Sequence, residues 1–156
     1  MLKNTPRSIL FICLGNICRS PLAEGVMRHV WENSGRDEAI HFDSAGTNGY
    51  HTGEAPDPRS VEVAKLHGID ISAQRCRQLT LDDFYNFDLI IGMDQVNMAT
   101  LAQRKPEDAT AHVALFTDIA GVGDMEIPDP YFGDMSGFEE VYRMVFSSSK
   151  ALAARI

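Results

Sequence analysis

Cys13 and Arg19 bracket the most chemically loaded stretch of the chain, Cys13-Leu14-Gly15-Asn16-Ile17-Cys18-Arg19-Ser20-Pro21. A cysteine thiolate is a strong nucleophile. An arginine guanidinium is a planar fork that matches two phosphate oxygens at once, which a lysine ammonium does not do. Gly15 lets the backbone approach a ligand closely, and Asn16 is one of the few non-glycine types that accepts a left-handed conformation. A loop so built can turn successive N–H groups inward as an anion nest. These residue types suit a displacement at phosphorus, with Cys13 as nucleophile and the N–H groups from Leu14 to Arg19 around the oxygens.

Taken singly, each residue has a plainer reading. A lone cysteine at a strand end is usually a small buried hydrophobe. Arg19 alone is a surface charge, and Ser20 alone a helix cap. The flanks make the motif specific. Ser8-Ile9-Leu10-Phe11-Ile12 is a short apolar run rich in β-formers, and Leu22, Val26, Met27, Val30 and Trp31 recur at helical spacing. Ser20 then reads as an N-cap and Pro21 as the first helical residue. A strand, a tight loop and a helix start follow one another. A helix N-terminus offers unpaired N–H groups and partial positive charge, both of which favour an anion. A thiol in that field beside an arginine ionises readily, so Cys13 is expected to act as a thiolate beneath the phosphorus. Ser20 is placed to hydrogen-bond that thiolate.

A departing alkoxide or phenolate needs a proton. Residues 117–136 show no regular pattern, and irregular stretches of that length in compact domains tend to be functional. In their midst, Pro128 and Pro130 flank Asp129 and press it toward an extended conformation. An isolated Asp-Pro pair is usually a rigid acidic turn. Beside a cysteine phosphate loop, Asp129 is better read as the general acid, because a bound dianion favours the protonated form of a carboxyl group. Asp57-Pro58 is the competing pair and reads as a helix start, with Gly68 as the matching stop.

Positioning these groups requires alternating strands and helices. Strands are predicted over 8–13, 40–44, 88–93 and 111–116. Helices are predicted from Ser20 to the Asn33-Ser34-Gly35 stop, from Asp57, after Asp94, and from Ser136, whose spacing to Glu139 fits a capping box; Thr80 with Asp83 is a weaker box. Phe138, Val141, Tyr142, Val145 and Leu152 give the last helix one apolar face. Strands that are apolar throughout and alternate with helices argue for a parallel sheet covered on both faces, a three-layer α/β fold. Residues 1–156 read as a single domain, with 1–7 a flexible leader.

The loop from Cys13 to Pro21 resembles the phosphate loop of the low-molecular-weight protein tyrosine phosphatases. The similarity continues through Asp43-Ser44-Ala45-Gly46-Thr47, Ala55-Pro56-Asp57-Pro58-Arg59, Phe87-Asp88-Leu89-Ile90, Met93-Asp94 and Asp129-Pro130-Tyr131, in order along nearly the whole chain. It implies a four-stranded parallel sheet in the order 2-1-3-4 with the phosphate loop after the first strand. It also implies hydrolysis of phosphotyrosine and small aryl phosphates through a cysteinyl-phosphate intermediate. Tyr50 and Tyr131 resemble the aromatic walls of the family's pocket, and Asn16 with Ser44 resembles the pair that stiffens its loop. The chain departs from the family twice. A supporting His expected soon after His67-Gly68-Ile69 is replaced by Ala73-Gln74, and Tyr131-Phe132 stands where some relatives carry two tyrosines.

Other readings share the fold. Arsenate reductases resemble a relay needing two further cysteines, and only Cys76 lies outside the loop. Protein arginine phosphatases tend to place Thr where this chain has Ile17, whose branched apolar side chain suits a flat aryl ring. A non-catalytic phosphotyrosine-binding module would be expected to lack the nucleophile or the acid. Cys18 has no part in the hydrolysis, but a loop curling round an anion can bring it to Cys13 at disulfide distance, which suggests reversible peroxide inactivation. Cys76 has no evident role.

Composition bounds the partners. The chain has 156 residues, is 44% hydrophobic and 23% charged, and carries a formal charge of −8. An acidic surface argues against nucleic acid and anionic membranes. Three cysteines without a secretory segment suggest a reducing cytoplasm. No apolar run is long enough for membrane insertion. The scattered histidines show no metal-ligand spacing, so neither metal nor other cofactor is expected. The expected partners are a phosphotyrosine protein or small aryl phosphate as substrate, with inorganic phosphate as product.

Overall fold

A computed structural model describes residues 4–156. Four strands, β1 (Ser8–Cys13), β2 (His41–Gly46), β3 (Leu89–Gly92) and β4 (His112–Leu115), form one parallel sheet in the order β2-β1-β3-β4. The helices are α1 (Arg19–Glu32), α2 (Pro58–Leu66), α3 (Asp83–Asn86), α4 (Gln95–Arg104), α5 (Phe116–Ile119) and α6 (Met135–Arg155). Alternate residues of β1 serve opposite faces of the sheet, as the two-residue period of a strand demands. Ile9 and Phe11 pack with Leu22, Val26, Phe138 and Val145 from α1 and α6, while Leu10 and Ile12 pack with Phe84, Phe87 and Leu101 on the other side. The three-layer architecture and the strand order agree with expectation. Among the described residues no helix is long and apolar enough to cross a membrane.

The register sets the site. Cys13 pairs with Gly46 and Ile12 with Gly92, so β1, β2 and β3 end at one rim. β1 lies between its neighbours, and the loop that follows it opens where the order of connection reverses, which is where open α/β sheets bind ligands.

Several boundaries differ from expectation. Ser20 is not the N-cap of α1, because Arg19 is already helical; Cys18 stands at the cap without a side-chain bond. The first helical N–H groups are thereby left uncapped, and the Ser20 hydroxyl is turned to the loop. The last helix begins earlier than Ser136, capped by Asp134, whose carboxylate accepts from the Ser136 N–H. Asp83 does reach back to the Thr80 N–H at 2.8 Å, yet the short α3 starts at Asp83 itself. The expected strand over 111–116 stops at Leu115, where the chain turns into α5, so 117–136 is not wholly irregular. Of the flexible leader expected over 1–7, residues 1–3 lie outside the described residues. Pro6 is buried, and Arg7 is tied on both sides: its N–H donates to Asp88 Oδ2 at 2.8 Å and its carbonyl accepts from the His41 N–H at 2.9 Å. Those two bonds hold Arg7 against the sheet, contrary to its place in a flexible leader.

Candidate active site

The loop after β1 is held in shape by its own side chains. Asn16 is the one non-glycine residue with positive φ, 58°, among the described residues. Its amide Nδ2 donates to Ser20 Oγ at 2.8 Å and to Ser44 Oγ at 3.0 Å. The Ser20 hydroxyl lies 3.0 Å from Cys13 Sγ. Since it accepts from Asn16, its own hydrogen is free to point at the sulfur. The Ser44 hydroxyl donates to Glu24 Oε1 at 2.8 Å, and Glu24 is bound in turn by Arg28 Nη2 at 2.7 Å. Burial raises the Glu24 carboxyl, with the hydrogen bonds from Arg28 and Ser44 working against it. No histidine takes part in this relay among the described residues. Gln74 turns elsewhere, donating to the Pro21 carbonyl at 3.1 Å, and a buried carboxylate on α1 with its own arginine anchors Ser44.

The backbone around the loop leaves little room. A Cβ on Gly46 would lie 2.9 Å from the Leu14 carbonyl and 3.0 Å from the Asn16 nitrogen, so only glycine lets the end of β2 pass this close.

Arg19 is the largest fully buried side chain. Its Nη1 donates to Asp94 Oδ2 at 2.6 Å and to the Ile127 carbonyl at 3.0 Å, and its Nη2 lies 3.7 Å from Asp129 Oδ2. Burial acts against the charge, but Cys13 and the hydrogen bond and charge of Asp94 outweigh it and raise the guanidinium further. A buried charge of this kind persists because it is paired and hydrogen-bonded. Asp94 was legible in the sequence only as the cap of α4. It does cap that helix, in a box with Asn97, while its second oxygen holds Arg19.

Cys13, Leu14, Gly15, Ile17, Cys18, Arg19, Tyr50, Asp129 and Tyr131 line one cavity of about 240 Å³, joined by Asn48, His51 and Phe132. Asn16, Ser20 and Ser44 lie buried behind it. Tyr50 is 86% and Phe132 96% exposed, so the mouth is aromatic and open. Sequence reasoning missed His51 and Phe132; the Tyr131-Phe132 departure was the signal available for the latter. Cys18 is buried, and its thiol is pushed well above the usual range by burial and then by Asp57 and Cys13.

The two Asp-Pro pairs separate cleanly. Asp57 caps α2, accepting from the Arg59 N–H at 2.8 Å and pairing with Arg59 Nη2 at 2.9 Å. Arg59 also donates to the carbonyls of Tyr131 and Gly133 at 2.9 and 3.0 Å, which braces the segment carrying Asp129. Asp129 itself has a side chain 42% exposed, and its one hydrogen-bond donor among the described residues is the Tyr131 N–H at 3.1 Å. The arrangement can therefore hold an anion between the loop N–H groups and Arg19, set a sulfur behind it and bring a carboxyl to its far side.

Comparison with known proteins bears on this geometry. Residues 8–156 match the family described as low molecular weight phosphotyrosine protein phosphatase. An enzyme of that name from Schizosaccharomyces pombe is 43% identical over 144 residues, 91% of this chain and 90% of its own. The crystal structure of a protein tyrosine phosphatase from Entamoeba histolytica superposes with a TM-score of 0.88 at 38% identity, covering 95% of each chain. A Drosophila arginine phosphatase superposes at 0.85 with 30% identity over 94% of this chain and 96% of its own.

Proposed function

The chain belongs to the low molecular weight phosphotyrosine protein phosphatases, hydrolases by name, and on that footing we propose that it cleaves phosphotyrosine by two in-line transfers at Cys13. One observation carries the reading: Cys13, the buried Arg19 and Asp129 line a single cavity. In the first step the thiolate of Cys13 forms an S–P bond as the P–O bond to the tyrosyl oxygen breaks. The loop N–H groups and Arg19 hold the equatorial oxygens, where charge is greatest in the transition state. Asp129 gives its proton to the leaving oxygen. In the second step water attacks the phosphorus, Asp129 takes the water proton, and the S–P bond breaks to release inorganic phosphate. The Ser20 hydroxyl, donating to the sulfur, eases its departure as a thiolate. Asn16 and Ser44 keep the loop in its binding form. Tyr50 and Tyr131 flank the aryl ring.

The nucleophile must be a free thiolate, which suits a reducing compartment such as the cytoplasm. Cys18 is the natural partner for an oxidised Cys13.

The likeness to an arginine phosphatase makes phosphoarginine the second reading. Against it stands Ile17, an apolar side chain in the cavity wall that offers a guanidinium nothing to bond. Phosphotyrosine, phosphoserine and phosphoarginine peptides of matched sequence separate the readings. Phosphotyrosine is expected to give the highest kcat/KM, and a preference for phosphoarginine overturns the choice. Cys13→Ser is expected to lose turnover while keeping oxyanion binding; substantial activity in that variant overturns the covalent route. Arg19→Lys is expected to be severe as well, because one ammonium does not replace the bidentate fork.

A further inference from the structure

A nest of inward N–H groups needs outward carbonyls, because in a trans peptide the C=O and the following N–H point to opposite sides. No peptide bond in the described chain is cis. Five of the loop carbonyls accept hydrogen bonds. The Cys13 carbonyl accepts from the Thr47 N–H at 3.0 Å, Leu14 from Asn48 at 3.0 Å and Ile17 from Asp57 at 2.8 Å. Cys18 accepts from the Leu22 N–H at 3.4 Å and the Ser60 hydroxyl at 3.3 Å. The Asn16 carbonyl differs. Its hydrogen-bond partner among the described residues is a side chain, Cys76 Sγ, 2.8 Å away and buried.

Cys76 is held firmly enough to do this. Its N–H donates to the Glu54 carbonyl and its carbonyl accepts from the Gly53 N–H, each at 2.8 Å. The next residue grips the same asparagine, since the Arg77 N–H donates to Asn16 Oδ1 at 2.9 Å. Arg77 is in turn fixed by Asp43 and Asp83, both at 3.0 Å. Burial, aided by the charge of Glu54, pushes the Cys76 thiol up to about 11, so it stays protonated and able to donate at neutral pH.

The geometry points to Cys76 as a positioning residue for the phosphate loop, its thiol holding the Asn16 carbonyl outward so that the Ile17 N–H faces the bound anion. The inference rests on the reading of that loop as the oxyanion site. Without the thiol, a buried carbonyl at a left-handed residue loses its partner, and turning the peptide over would present its oxygen to the phosphate. The effect falls on anion binding more than on the fold, because the peptide is one link in a loop otherwise tied at every other point named.

The test compares Cys76→Ala, which removes the donor, with Cys76→Ser, which keeps one. Phosphate affinity is measured by competitive inhibition and melting temperature by calorimetry, in the intact chain. Cys76→Ala is expected to raise the inhibition constant for inorganic phosphate about 3- to 10-fold, the span of one hydrogen bond, with its melting temperature near that of Cys76→Ser. Cys76→Ser is expected to recover most of the affinity. Phosphate binding in Cys76→Ala equal to the parent overturns the proposal. So does an equal loss in both variants, or a loss that tracks the melting temperature, since either marks Cys76 as packing. A parent that binds no phosphate would instead overturn the reading of the loop itself.

Discussion

Asp57 and Asp129 are each followed by a proline, and it is their surroundings that give them different chemistry. At Asp57 burial favours the protonated form, but the hydrogen bonds and charge of Arg59 prevail and hold the carboxyl below its ordinary range. A group that has already lost its proton is a poor general acid. Asp129 is not hydrogen-bonded by an arginine in this way: it reaches the cavity, with its Oδ2 3.7 Å from Arg19 Nη2. Asp129→Asn is therefore expected to slow single-turnover cleavage of phenyl phosphate by about 100-fold or more, and of p-nitrophenyl phosphate by much less, since that phenol leaves without help. Equal losses across a series of leaving groups would move the acid elsewhere. The same scale decides the redox chemistry. Peroxide converts a thiolate to a sulfenic acid with release of hydroxide, and a neighbouring thiol condenses with it, releasing water and forming a disulfide. Burial holds the Cys18 thiol in its protonated form, which shields it from first attack by peroxide. Dithiothreitol is expected to restore the peroxide-treated parent, with a Cys13–Cys18 bridge visible by mass spectrometry. Cys18→Ser should lose that recovery, and full recovery in the serine variant would leave Cys18 as packing.

Between elements, the decisive contact is the start of α2 against the segment that leads into α6. Arg59, pinned by the Asp57 cap, reaches the Tyr131 and Gly133 carbonyls and lies with its guanidinium carbon 4.4 Å from the Phe138 ring centroid. Arg59→Met keeps an apolar stem and drops the bonds. It is expected to lower kcat several-fold, most for poor leaving groups, because the segment it frees is the one carrying Asp129. A kcat loss indifferent to the leaving group would detach Arg59 from the acid. The cap also has a pH signature. Asp57 is held below its usual value near 3.8 in the folded chain, so it binds a proton less readily folded than unfolded. Its stabilisation is complete above that usual value and fades as pH falls through the folded one. Asp57→Ala is expected to cost about 1 kcal/mol at pH 6 to 7. The gap in melting temperature from the parent should close below about pH 4; a constant gap would mean that the charge contributes nothing. This cap was legible in the sequence because Asp57-Pro58 is local. The start of α1 was not. Ser20 has the right type for a cap, but its hydroxyl is drawn to Cys13 and Asn16 by packing that spacing alone does not reveal. Ser136 failed likewise, because Asp134 lies closer to the true start. The relay through Glu24 and Arg28 and the grip of Cys76 and Arg77 on Asn16 join segments far apart in the chain, and no local pattern announces them.

Across the whole molecule, two electrostatic scales oppose each other. The formal charge is −8, and residues 106–142 contain no lysine or arginine, while Asp118, Asp124, Glu126, Asp129 and Asp134 all fall among them. At long range such a chain repels a dianionic aryl phosphate. At short range the loop N–H groups, the helix start and Arg19 attract it. Salt acts unequally on the two. Repulsion between exposed charges and a distant ligand is screened over a Debye length of about 10 Å at 0.1 M, whereas the attraction inside a cavity floored by a buried guanidinium is screened far less. Raising sodium chloride from about 10 to 150 mM is therefore expected to increase kcat/KM for p-nitrophenyl phosphate modestly, by about two- to threefold. A phosphotyrosine peptide flanked by lysines should show the opposite trend, since its flanks are attracted by the same surface that repels the dianion. The comparison must use a salt whose anion does not compete for the phosphate site, and a sulfate control would expose such competition. If kcat/KM for the small aryl phosphate falls steeply with sodium chloride, the field at the mouth is dominated by the basic groups of the site, and the acidic surface has no say in how substrate arrives.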